Sequence, residues 1–140
     1  MFVSEAVGGA PGASVLSSYA IGYDGSISLI DGSVGAGQSA ACWVVVTNNG
    51  KYAYTTNTAA NNISTFGIDN SGDISVSQAI SAITEAGPID AALNSSSKFL
   101  YVLNGGGHSI SVFSVAQDGS LNHQQTVSGL PVGANGLAAK

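Results

Sequence analysis

The chain repeats itself at an interval of 47 residues. Tyr52-Ala53-Tyr54-Thr55-Thr56-Asn57 aligns without a gap with Phe99-Leu100-Tyr101-Val102-Leu103-Asn104. Ile63-Ser64-Thr65-Phe66 falls on Ile110-Ser111-Val112-Phe113, and Gly72-Asp73-Ile74 on Gly119-Ser120-Leu121. One step earlier, Tyr19, Ile21, Gly25 and Ile27 fall on Phe66, Ile68, Gly72 and Ile74. A fixed period of this length marks a repeat architecture, in which each unit buries its apolar faces against its neighbours.

Within one period the pattern is four short strands separated by turns. Trp43–Thr47 is an apolar run that ends in Asn48-Asn49-Gly50-Lys51, an Asn-Gly turn signal. Tyr52–Asn57 and Ile63–Ile68 follow, then the turn Asp69-Asn70-Ser71-Gly72 and a polar-alternating strand from Asp73 to Ile80. The next period repeats the order with Ile89–Leu93, Phe99–Leu103, Ser109–Val115 and Ser120–Val127. No helical periodicity of useful length interrupts it. The expectation is an all-β chain of β-propeller blades, each of four antiparallel strands.

At the N-terminus, Met1–Ala6 matches a second strand, so 1–35 reads as a partial blade of three strands. Residues 36–82 and 83–128 read as complete blades, and 129–140 as a closing first strand, Gly133–Ala139. That makes about three blades, below the usual four to eight. An open array leaves apolar end faces and strand edges in water. The expectation is a partial propeller, with missing blades or self-association to complete the ring.

Composition narrows the function. Only 8% of residues are charged, and eight acidic residues against three lysines leave a net charge of −5 with no arginine. Nucleic-acid binding needs a basic patch and is not expected. No stretch reaches the ~20 apolar residues of a membrane helix, and no secretory signal pattern opens the chain, so compartment is left open. The lone Cys42 excludes an internal disulfide and reads as a small buried residue; Trp43 reads as core.

The segment Ser97–Leu121 (SKFLYVLNGGGHSISVFSVAQDGSL), its weaker copies GKYAYTTNTAANNISTFGIDNSGDI and SSYAIGYDGSI, and the ending GLPVGANGLAAK resemble the seven-bladed propeller lactonases. That family includes bacterial 6-phosphogluconolactonase and fungal 3-carboxymuconate-lactonising enzyme. The resemblance implies the C-terminal three-sevenths of such a protein and a small lactone or sugar as ligand. It implies a sugar-lactone hydrolase in the full-length form, with this chain inactive alone; the alternative is a non-catalytic propeller module for ligand or protein binding. Active members often open the first strand with Gly-Pro and a basic or polar pair. Here the matching residues are Gly87-Pro88-Ile89-Asp90 and, one period earlier, Ala40-Ala41-Cys42-Trp43. The family's catalytic arginines have no counterpart.

Lactone hydrolysis needs a group that activates water and a donor for the developing oxyanion. Loops between second and third strands and between blades share one rim of a propeller. That rim would collect Asn57, Asn61, Asn62, Asn104, His108, Glu85 and Gln38. His108 is the candidate base with Glu85 to orient it; Asn57, Asn104, Asn61 and Asn62 are the candidate ligand-binding amides. The competing reading makes Asn57 and Asn104 strand-ending residues that cap loop backbone, and His108 a solvated loop residue, because both periods need the same turn. His123 is expected on an outer strand. His108 and His123 lack companions at ligand spacing, so no metal site is expected, and no cofactor motif is present.

Overall fold

The computed structural model describes residues 1–140. Eleven strands form three antiparallel sheets. The first contains β1 (Phe2–Glu5), β2 (Val15–Ile21) and β3 (Ile27–Gly35), in that order. The second contains β4 (Ala41–Val46), β5 (Tyr52–Asn57), β6 (Asn62–Ile68) and β7 (Ile74–Ile83). The third contains β8 (Pro88–Leu93), β9 (Phe99–Asn104), β10 (Ser109–Val115) and β11 (Leu121–Ser128). Each sheet is a meander whose consecutive strands pair, so these are the expected blades. A single 3₁₀ turn at Val7–Gly9 is the only helical element.

The turns explain the register. The loop after β4 is closed by Gly50 N–H to the Thr47 carbonyl (2.8 Å) and Thr47 N–H to the Tyr52 carbonyl (2.9 Å). Only Gly50 (φ +69°) is left-handed; Asn49 instead accepts from Lys51 N–H (3.0 Å) through its side chain. The Asn-Gly pair therefore works as a right-handed turn ending in one left-handed residue. The outer turns Asp24-Gly25-Ser26 and Asp118-Gly119-Ser120 are copies of each other. In each, the aspartate carboxylate accepts from the serine hydroxyl and the serine N–H. Those bonds, the hydroxyl first, hold both carboxyls below the usual aspartate range.

Alternation along the strands sends opposite faces to opposite neighbours. Ala53 and Phe66, partners in the ladder, face the first sheet and bury with Leu16, Ala36 and Ile74. Tyr54 and Ile63 face the third sheet and bury with Ala91, Leu100, Val102 and Phe113. Phe66 and Phe113, one period apart, are each 1% exposed. The sheets lie closest at β4 and β8 and diverge toward β7 and β11, the radial arrangement of blades.

Three expectations change at the innermost strands. Trp43 is 46% exposed rather than core, and Cys42 is exposed rather than buried. Both sit at a β-bulge between Ala41 and Trp43, beside β1, which has no inner strand on its free edge. They line a groove of about 300 Å³ with Phe2, Val3, Ser4 and Val44. At the other end, residues 129–140 form no strand. They turn off β11 through Gly129 and Leu130 N–H bonds to the His108 carbonyl, and Leu137 N–H reaches the Asp90 carboxylate (2.6 Å). A first strand needs a second strand to pair with, and the free edge of β1 lies at the far end of the array.

Candidate functional site

The loops expected on one rim are gathered there by direct bonds. Gly105 N–H donates to the Gly87 carbonyl and Gly107 N–H to the Ala86 carbonyl, both at 2.8 Å. Gly87 N–H donates to the Asn61 side chain (2.8 Å), and Thr84 N–H to the Asn61 carbonyl (3.0 Å). Thr58 donates its hydroxyl to the Pro88 carbonyl (2.7 Å). Close approach is what the triple glycine serves: a Cβ on Gly107 would lie 2.8 Å from Glu85 Cβ. The rim thus brings Asn61, Glu85 and His108 into one neighbourhood.

His108 and Glu85 share no hydrogen bond; Glu85 is exposed and His108 half-buried. His108 has φ +48°, and Asn61, one period earlier, has φ +53°. Both are the left-handed residue that reverses the chain into the third strand. Asparagine tolerates that conformation better than histidine does.

Asn57 and Asn104 lie inside, each with 0% exposure, and in different interfaces. Asn57 Nδ2 donates to Asn62 Oδ1 and Ser64 Oγ, both at 2.9 Å; Asn104 Nδ2 donates to Ser109 Oγ (3.1 Å) and Ser111 Oγ (2.9 Å). Their partners are side chains of the next strand, not loop backbone. Asn62 extends the first cluster by donating to Gln38 Oε1 (2.6 Å). The first sheet holds the same position with Glu5, which accepts from the Ser17 hydroxyl. This clasp went unread in the sequence. Its signal is the serine series Ser17, Ser64 and Ser111, found once the alignment of Tyr19 with Phe66 is extended two residues back. Asn57 Oδ1 and Asn104 Oδ1 are buried without a donor, the same imperfection twice.

Chemically, the rim offers amide and backbone dipoles, one carboxylate and one imidazole, with no cation. No group of three or more His, Cys, Asp or Glu residues could hold a metal ion. The two larger clefts lie at the opposite rim. One of about 480 Å³ runs between the Thr47–Tyr52 turn, Ser96–Phe99 and Ser114–Gln117; one of about 430 Å³ borders Lys51, Tyr52 and the Gly67–Ser75 turn. Both are open spaces between neighbouring turns. The rim of Asn61 and His108 is the better candidate because several loops converge on it.

Solved structures with this fold include a protein of unknown function from Desulfotomaculum acetoxidans, with TM-score 0.73 and 20% identity. A putative 6-phosphogluconolactonase from Bacteroides fragilis matches with TM-score 0.63 and 24% identity. A periplasmic gluconolactonase from Pseudomonas aeruginosa matches with TM-score 0.64 and 15% identity. The matches cover 83%, 84% and 87% of this chain but 36%, 38% and 38% of those chains, so the chain spans little more than a third of their length. No curated protein matches it. The family profile described as "Lactonase, 7-bladed beta-propeller" matches residues 44–132, most of the second and third sheets. With the four-stranded blades and the 47-residue register, that match shows that the chain belongs to the seven-bladed β-propeller lactonase family.

Proposed function

We propose that this chain is a blade segment of a sugar-lactone-hydrolysing propeller, contributing a polar rim that binds a small lactone or sugar, and that the three sheets alone do not hydrolyse it. Family membership supports the ligand class. The observation that carries the second half is the rim itself. His108 and Glu85 share no hydrogen bond and no arginine is present, so nothing holds a base and a cation together around a carbonyl. The amides of Asn61 and neighbouring backbone N–H groups can orient hydroxyls or a ring oxygen without activating water.

The test is lactone loss from 6-phosphogluconolactone in the presence of folded protein, measured against buffer, with ligand-dependent NMR shifts of Asn61, Glu85 and His108 in parallel. The expected result is a buffer rate with shifts confined to the rim. A rate above buffer that disappears in His108→Asn would overturn the claim of inactivity. That variant places at 108 the residue type found at Asn61, so it keeps the left-handed turn while removing the imidazole.

A second reading is favoured by one observation: Asn61 and His108 occupy equivalent turn positions. In this reading the chain is a propeller module that binds a partner or ligand with no chemistry in any longer form. Rim shifts with a sugar that has no lactone, equal to those with the lactone, would favour it.

A further inference from the structure

Charge is sorted between the two ends of the strands. Lys51 and Lys98, one period apart, stand in the turns between first and second strands, at the rim opposite Asn61 and His108. Lys140, the third cation, falls by the repeat on Leu93, at the far end of β8 from Pro88. The rim of Asn61 and His108 collects carboxylates instead. Glu85 lies exposed in the loop between the second and third sheets, and the one bond to that residue runs from the Thr84 hydroxyl to its carbonyl (2.9 Å). Its carboxylate is free. Asp90 is buried two residues into β8 from the same rim; its carboxylate accepts from Ala91 N–H (2.7 Å) and Leu137 N–H (2.6 Å), with no cation paired to it. Glu5 ends β1 as Asn57 ends β5.

The same rim presents donors that the fold leaves without partners. In the Gly105–His108 loop, Gly105 and Gly107 donate to the Gly87 and Ala86 carbonyls, whereas Gly106 and His108 N–H have no acceptor in the chain. The loop one period earlier alternates in the same way: Thr58 and Ala60 N–H are bonded, and Ala59 and Asn61 N–H are not. Asn61 Oδ1 is taken by Gly87 N–H, which leaves its Nδ2 free. Glu85 stands beside these donors, since a Cβ on Gly107 would lie 2.8 Å from Glu85 Cβ and 3.2 Å from the Ala86 nitrogen. A hydroxyl suits such a mixture, because it accepts from an N–H and donates to a carboxylate at once. A phosphate or carboxylate only accepts, and it meets Glu85 as a like charge.

We infer that this rim selects uncharged polyhydroxy ligands over their phosphorylated or carboxylated forms, with Glu85 as the selecting residue. The inference rests on the rim-binding reading proposed above and names the ligand class within it. Hydroxyls of the ligand donate to the Glu85 carboxylate while the free N–H groups of the two loops donate to its ring and carbonyl oxygens. Two like charges at contact distance weaken binding on the order of fivefold even with the full screening of water. A phosphorylated ligand reaches the same rim, but more weakly, because no lysine or arginine is there to offset Glu85.

Gluconolactam keeps the ring and carbonyl of a sugar lactone but does not open in water, so it and its phosphate ester, 6-phosphogluconolactam, make the comparison. Both are titrated into the full chain at low salt and at about pH 8, where an ordinary imidazole is neutral. The NMR shifts of Asn61, Glu85 and His108 report binding. The neutral lactam is expected to bind tighter by about fivefold or more, with the gap narrowing as salt rises. Glu85→Gln keeps an acceptor oxygen at an exposed position and removes the charge; it should close most of the gap by tightening the phosphate, with unchanged circular dichroism. Equal affinities, a tighter phosphate, or a gap that survives Glu85→Gln would overturn this inference alone. Shifts with neither ligand would overturn it together with the rim-binding reading.

Discussion

The outer-turn glycines give a graded test of blade packing. Gly25, Gly72 and Gly119 stand at φ +83°, +89° and +80°, each as the left-handed residue of the turn before a fourth strand. An alanine pays the same backbone cost at all three, roughly 1–2 kcal/mol for an L-residue in that region. What differs is the neighbour. At Gly25 the new methyl meets nothing within 4 Å, so the backbone cost stands alone. At Gly72 it would lie 2.8 Å from Ile30 Cδ1, the far end of a flexible side chain that can rotate away. At Gly119 it would lie 2.6–2.8 Å from three carbons of the Tyr52 ring, which packs against the core between the second and third sheets. Carbon atoms rest at about 3.5–4.0 Å, and overpacking of this kind adds roughly 1–3 kcal/mol. The Gly119 carbonyl also accepts the Tyr54 hydroxyl (3.0 Å), a bond that any shift of the turn weakens. The expected losses are about 1–2 kcal/mol for Gly25→Ala, little more for Gly72→Ala, and about 2–5 kcal/mol for Gly119→Ala. Urea denaturation of the three variants, compared at equal m-value, measures them. Equal losses at Gly25 and Gly119 would refute the claim that blade contact, and not turn geometry alone, sets the difference.

Other outcomes follow from the same packing. Phe113→Ala should cost about 3–5 kcal/mol, because the ring is sealed between the second and third sheets and meets His123 edge-on at 5.6 Å; a loss under about 1 kcal/mol by denaturation would place it at the surface. Tyr54 is held protonated, its pKa pushed up to about 12 first by burial and then by Tyr52 and Asp118. Its folded value exceeds the unfolded one, so its contribution is whole below about pH 10 and is lost as pH rises toward 12. Tyr54→Phe should flatten that alkaline loss in a stability-against-pH series, and an unchanged slope would remove Tyr54 from the account.

The blades were legible because a repeat writes its register into the chain many times. Tyr52–Asn57 and Phe99–Asn104 carry the same alternation, and the positions of Phe66 and Phe113 announce the shared core. The rim was legible in outline, since loops of equal place in each repeat must emerge on one side. The roles of its residues were not. Asn57 and Asn104 are each one step from a solvent-facing loop, and only the ladder shows that their amides turn inward to serines of the next strand.

The order of strands, the faces that meet and the turn at each end of a strand follow from the amino-acid pattern, because they depend on neighbours a few residues to one period away. Exposure at the two ends of the array does not. Trp43 and Asp90 occupy the same place in successive repeats, yet Trp43 is 46% exposed and Asp90 is 4%. Asp90 is held by the Leu137 N–H, whereas Trp43, although β8 packs beside β4, borders the open groove along β1. A periodic sequence specifies what each face is made of; what lies against that face is a property of the assembled sheets.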